Sequence, residues 1–274
     1  MLARDLSRKQ FNHMNILEAL YKSLAIGSIS LVAACAPPLA NVKNINSNLD
    51  GYMASNYSEK NIAPGVAAVL SQTTPPLGEH HSEIKVVLDH QFKRYGEASE
   101  KAIVTKPVIR YRPIRGPFVQ ELRSVENDGV PVDRQLVLSY LGFLTLKRQA
   151  LPNQGLVGNS NEIKSIEPFK WFGPNSVPGS SVAIRYKIGT IPQMMNFQDG
   201  VMTCTLEKTI QASNILPNIK GIAQFLDCNF KLNNSVGSKS SVVYLPTYGI
   251  SVTTALTVPG GTYSDKIVEF IASP

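Results

Sequence analysis

Ser181-Val182-Ala183-Ile184-Arg185-Tyr186-Lys187-Ile188 is the stretch on which the fold turns. Val182, Ile184, Tyr186 and Ile188 alternate with Ala183, Arg185 and Lys187, and successive side chains of a β-strand point to opposite faces, so this is a strand with one face in a core. The same period runs on downstream. Met202, Cys204, Leu206 and Ile210 alternate with Thr203, Thr205, Glu207 and Thr209. Ile222, Leu226, Cys228, Phe230 and Leu232 share a face, as do Ile250, Val252, Leu256 and Val258. Turn residues separate these runs, notably Pro246-Thr247-Tyr248-Gly249 and Pro259-Gly260-Gly261, and Tyr263 to Ala272 reads as the closing strand. Residues 179–274 are therefore expected to form an antiparallel β-sandwich domain, either immunoglobulin-like or a small barrel.

Upstream the signals mix, and residues 81–178 read as a helix-and-strand region. Ser82 caps a helix expected over Glu83 to Tyr95, with Ile84, Val87, Leu88, Phe92 and Tyr95 at helical spacing and Gly96 as its stop. Ile103 to Arg115 reads as a strand with Ile109 and Tyr111 on one side and Lys106, Arg110 and Arg112 on the other. Pro107, Pro113 and Pro117 confine it to a sheet edge or an extended segment, because proline donates nothing to a ladder. Leu136 to Leu146 is apolar nearly all round. A helix capped by Asp133 competes there with two buried strands broken at Gly142. Leu151 to Gly179 reads as a long connection carrying the aromatic cluster Phe169-Lys170-Trp171-Phe172. The expected fold class is thus mainly β with some α, a sandwich preceded by a mixed α/β region.

The N-terminus carries a different message. Arg4, Arg8, Lys9 and Lys22 precede an apolar run, Leu24 to Ala34, that ends in Val32-Ala33-Ala34-Cys35. A run of this length engages an export machinery, whereas a permanent span needs about 20 residues. Met14 is an alternative start to Met1 that shortens the basic region to an ordinary length. Val32 to Cys35 resembles the lipobox of bacterial lipoproteins, in which the cysteine is acylated and becomes the mature N-terminus. The resemblance implies a signal peptide over 1–34, lipidation at Cys35, and a bacterial cell-envelope location. Ala36 follows the cysteine where aspartate would hold a lipoprotein at the inner membrane. That implies the outer membrane, with the periplasmic face as the expected side. The Pro-, Asn- and Ser-rich residues 35–80 then read as a lipidated tether, in which the patch Pro64 to Leu70 docks onto the folded body or onto a partner, or stays mobile.

With Cys35 assigned to lipid, Cys204 and Cys228 form a disulfide pair or stay as two reduced thiols packed in a core. The net charge of +7 falls to about +5 once residues 1–34 are set aside, and no dense basic stripe with interleaved aromatics suits nucleic acid. Charged residues make up 17% of the chain and hydrophobic ones 43%, a composition that builds a core rather than a disordered segment.

Catalytic patterns occur here without their companions. Ser82-Glu83-Ile84-Lys85 matches a Ser-x-x-Lys pattern, yet neither the Ser-Asp-Asn nor the Lys-Thr-Gly partner occurs. Glu79, His80, His81, Glu83, Asp89 and His90 are the densest group of possible metal ligands, without the paired spacing of zinc sites. No catalytic, cofactor or metal residue is expected. The binding candidates are the basic set Lys106, Arg110, Arg112 and Arg115, and Trp171 in its aromatic loop. The functional expectation is a non-enzymatic lipoprotein, held to the membrane by its anchor and to other envelope proteins as a scaffold subunit of a secretion or conjugation assembly. A surface or periplasmic module or adhesin binding sugar or peptide is the alternative.

Overall fold

The computed structural model describes residues 40–73, 81–96, 103–127, 130–173, 176–233, 235 and 237–274. The expected signal peptide and Cys35 lie outside the described residues. Twelve strands follow three short helices: α1 (Val42–Ser47), α2 (Leu49–Asn56), α3 (Pro64–Thr73), then β1 (Glu83–Arg94), β2 (Ile103–Pro113), β3 (Phe118–Asn127), β4 (Val130–Tyr140), β5 (Leu144–Ala150), β6 (Asn161–Ile166), β7 (Ser181–Thr190), β8 (Gln198–Gln211), β9 (Ile222–Leu232), β10 (Ser238–Leu245), β11 (Ile250–Val258) and β12 (Gly261–Ser273). Each strand pairs with its neighbour in sequence, and β12 returns to β1 with Glu83 opposite Ser273, closing an antiparallel barrel.

This corrects the expected fold class. Strands from Glu83 to Ser273 share one closed sheet, so there is neither a separate β-sandwich nor a mixed α/β region before it. The expected helix at Glu83 is β1. Ile84, Val86 and Leu88 are buried in alternation, which is period two, and the β-branched Ile84, Val86 and Val87 favour the pleat. Leu136 to Leu146 resolves into β4 and β5 around a turn at Leu141-Gly142-Phe143, where Leu141 and Gly142 have φ of 55° and 64°. The run is apolar all round because both faces of β4 are covered: Leu136, Val137, Leu138, Ser139 and Tyr140 are all buried. Nor is β2 an edge. It pairs with β1 and β3, and its register against β1 skips Lys106 and Pro107.

Residues opposite each other in register share a face, and following the faces round the ring reveals two cores. Phe118 pairs with Tyr140, Gln120 with Leu138 and Leu122 with Leu136, on one side of the sheet; Val119 and Glu121 point to the other. The first core holds the buried faces of β4 to β9 with α1 to α3. The second gathers Ile84, Val86, Tyr111, Val252, Ile267 and Phe270 from β1, β2, β11 and β12. Strands β3 and β10 divide their side chains between the two: Phe118, Val242 and Tyr244 go to the first, Val119, Val243 and Leu245 to the second. On β7 the uncovered face is Ser181, Ala183, Arg185 and Lys187, a surface for water rather than for hydrocarbon.

Residues 40–73, within the stretch expected to be a tether, are helical and packed. The asparagines that resemble linker composition act as caps: Asn41 accepts from Lys43 N at 2.9 Å and Asn48 from Gly51 N at 3.1 Å. Pro64 opens α3, where its missing N–H costs nothing, and Val66 and Leu70 are buried. Carbonyls at the end of α2 accept hydrogen bonds from the barrel. Gln120 Nε2 donates to Met53 O at 3.2 Å and Tyr57 O at 3.0 Å, and Lys147 Nζ donates to Asn56 O at 2.8 Å. Burial pulls the Lys147 ammonium below its ordinary pKa, against the nearby carboxylate of Glu162.

Candidate functional site

The basic candidates on β2 meet carboxylates. Arg110 and Arg112 are two residues apart on one face, and Glu83 at the start of β1 lies within reach of both. Arg110 donates to Glu83 Oε1 at 2.9 Å, Arg112 Nε donates to Glu83 Oε2 at 3.0 Å, and Arg112 also reaches Asp50 of α2 at 2.5 Å. Burial opposes ionisation of Glu83, but hydrogen bonds from Arg112 and Arg110 overcome it and hold the carboxyl below its usual range. The Asp50 hydrogen bond chiefly holds Arg112 above its ordinary value. This network ties α2 to the barrel wall and spends the two charges internally. Lys106 is exposed some four residues back along β2, about 13 Å at the strand rise. Arg115 is exposed in the β2–β3 turn, beside a shallow recess formed with Glu59, Ser71 and Phe118. The four basic residues thus do not converge on one site.

Trp171 is 4% exposed. Its indole packs edge-on against Tyr140, Phe172 and Tyr244 at centroid distances of 6.0, 5.3 and 5.7 Å, and tilts on Phe143 at 4.8 Å. The aromatic loop plugs the first core. The ring is not presented to a ligand.

The acid and histidine group around His81 is dispersed by the strand. Seven residues apart, Glu83 and His90 would share a helix face; in β1 they take separate partners, Glu83 the arginines and His90 the carboxylate of Asp265 at 2.5 Å. Glu79 and His80 lie outside the described residues. Among the described residues no cluster of three or more His, Cys, Asp or Glu side chains is placed to hold a metal. Burial raises the Asp265 carboxyl against the lowering effect of its hydrogen bond with His90. His90 lies tilted against Tyr263 at 5.2 Å, and Tyr263 stacks on Phe92 at 4.4 Å.

Two features escape sequence reasoning. Asp265 lies 175 positions from His90, and only the closing seam between β1 and β12 brings them together. Glu121 is fully buried, accepting from the Ser139 hydroxyl and from Arg123 Nε at 2.8 Å and Nη2 at 2.6 Å. Gln120-Glu121-Leu122-Arg123 gives no sign of a buried carboxylate in its alternation. Cys204 and Cys228 face each other across β8 and β9 and form a disulfide.

Compared with protein families, with curated proteins and with solved structures, the chain finds no match in any of the three. What defines it is therefore its own geometry: a closed, antiparallel twelve-stranded barrel with side-chain-filled cores, a cross-strand disulfide and basic residues committed to internal ion pairs.

Proposed function

We propose that this chain is an exported, lipid-anchored barrel of the bacterial cell envelope that works by binding other envelope proteins, as a structural subunit of an outer-membrane assembly. The observation that carries the reading is the accounting of its cysteines. Cys204 and Cys228 are joined, which suits an oxidising compartment. Cys35 is left to follow an apolar run and two alanines behind a basic segment, the arrangement that lipidation needs. The buried indole of Trp171 removes the main support for a sugar- or peptide-stacking module.

The test is purification from detergent-solubilised envelopes, with mass spectrometry of the protein and of whatever accompanies it. The expected result is a chain beginning at an acylated Cys35 with a fixed set of envelope proteins. An unmodified Cys35 in an uncleaved chain refutes the anchor, and an acylated chain that always travels alone refutes the scaffold.

A further inference from the structure

Because every strand is antiparallel to its neighbours, the β1–β2, β3–β4, β5–β6, β7–β8, β9–β10 and β11–β12 connections fall at one end of the barrel. Of the ten large hydrophobic side chains markedly exposed among the described residues, seven belong to that end. Four of them gather in two adjoining loops. Leu156, 60% exposed, is in the β5–β6 loop, and Ile191, Met194 and Met195 are in the β7–β8 loop, the methionines 84% and 70% exposed. The loops are fastened side by side, with Ile191 N donating to Ser160 O at 3.0 Å. Gln193 holds the methionines outward. Its Nε2 donates to Met195 O at 2.9 Å and Asn196 O at 2.7 Å while its Oε1 accepts from Thr190 N at 3.2 Å.

The chain enters the fold at the same place. Val157 N donates to Ala40 O at 2.8 Å and Val42 N to Gly155 O at 3.0 Å, so residue 40 is pinned to the β5–β6 loop. Only residues 36–39 separate it from Cys35, and five extended steps span at most about 18 Å. Exposed Lys93, Lys231 and Lys239 stand at this end too, from the close of β1 and β9 and the opening of β10.

We propose that this end of the barrel lies on the lipid bilayer, with Leu156, Ile191, Met194 and Met195 inserted at the headgroup and acyl boundary and the lysines on anionic headgroups. The inference rests on the lipid-anchor reading. It adds that the barrel does not hang on a long tether but is seated, one end down, on the membrane that holds its anchor. A bilayer is the occupant the geometry favours. A lipidated Cys35 keeps these loops within reach of the membrane, and the apolar tips, with Lys93, Lys231 and Lys239 at the same end, match its interface.

The methionines are their own reporters. A membrane-impermeant N-chloro sulfonamide converts an accessible thioether to a sulfoxide, the oxygen coming from water as the reagent is reduced to sulfonamide and chloride. The full chain is reconstituted into vesicles of phosphatidylethanolamine and phosphatidylglycerol and treated with this reagent, beside full-length Cys35→Ser protein in vesicle-free buffer. Peptide masses then follow Met194 and Met195, with buried Met53 as the unreactive reference. Met194 and Met195 are expected to oxidise several-fold more slowly on vesicles than in the Cys35→Ser chain. An acylated chain whose methionines oxidise equally fast in both settings overturns the seating and leaves the anchor standing, whereas a chain without acylation overturns both. Protection in vesicle-free buffer that grows with protein concentration means a second copy covers these loops, and likewise overturns the lipid assignment.

Discussion

Replacing Glu121 by glutamine tests how the two cores are joined. Its carboxylate sits on β3, between cores, with no exposed surface, and takes hydrogen bonds from Ser139 and from Arg123 at 2.8 and 2.6 Å. The amide keeps the shape and removes the charge. Breaking a buried ion pair costs about 3–5 kcal/mol when the partner is left stranded. Arg123, 37% exposed in its side chain, can recover some hydration, which places the loss at the lower end, about 3 kcal/mol. For a fold of this size that is roughly 6–12 °C in Tm. Urea unfolding followed by circular dichroism gives the number. Arg123→Met and the double variant complete a cycle whose coupling should be at least about 1 kcal/mol. A loss below about 1 kcal/mol for Glu121→Gln, or no coupling, would refute the view that this pair is a buried ion pair stabilised by its surroundings.

Replacing both Cys204 and Cys228 by serine opens a loop of 24 positions and is expected to cost about 3.5 kcal/mol in the chain-entropy account, read from urea midpoints with and without reductant. Glu83, whose carboxyl pKa is depressed in the fold, contributes stability that is present above the ordinary carboxylate pKa and lost as pH falls through the depressed value. The wild type should therefore lose below about 1 kcal/mol more than Glu83→Gln does on acidification through that window, as measured by urea titrations at stepped pH. Trp171, the sole tryptophan, should emit at short wavelength, resist iodide quenching and show no shift with saccharides; ready quenching in the folded protein would contradict its place in the core.

Strands whose two faces meet different surroundings were legible. The alternation at Val182 to Ile188 translates directly into β7, and the Pro259-Gly260 turn into the β11–β12 hairpin with Val258 opposite Gly261. The reading failed where burial is two-sided or where pairing overrides spacing. Leu136 to Tyr140 has no exposed face because both of its sides are buried, so periodicity carries no information there. In β1, Ile84 and Leu88 satisfy both a helical and a strand pattern, and only the long-range partners β2 and β12 decide between them. The asparagines at 41 and 48 have the composition of a linker and the role of caps, which only neighbouring φ and ψ reveal. For the candidate site, the common face of Arg110 and Arg112 was visible, but its neutralisation by Glu83 and Asp50 needed the register and the helix.

Eleven of the twelve seams in this barrel join strands that are neighbours in sequence, and the twelfth joins residue 83 to residue 273. The chain can therefore zip hairpin by hairpin as it is synthesised, with each new strand finding the one just laid down. Closure must wait for the last residues, and its loop entropy is met only then. Until β12 arrives, β1 is a bare edge beside an unfinished second core, the state most open to proteases and to strand pairing between molecules. The final thirteen residues of β12 thus act as the latch of the whole molecule, and the interval before they arrive is when a chaperone would have most to do.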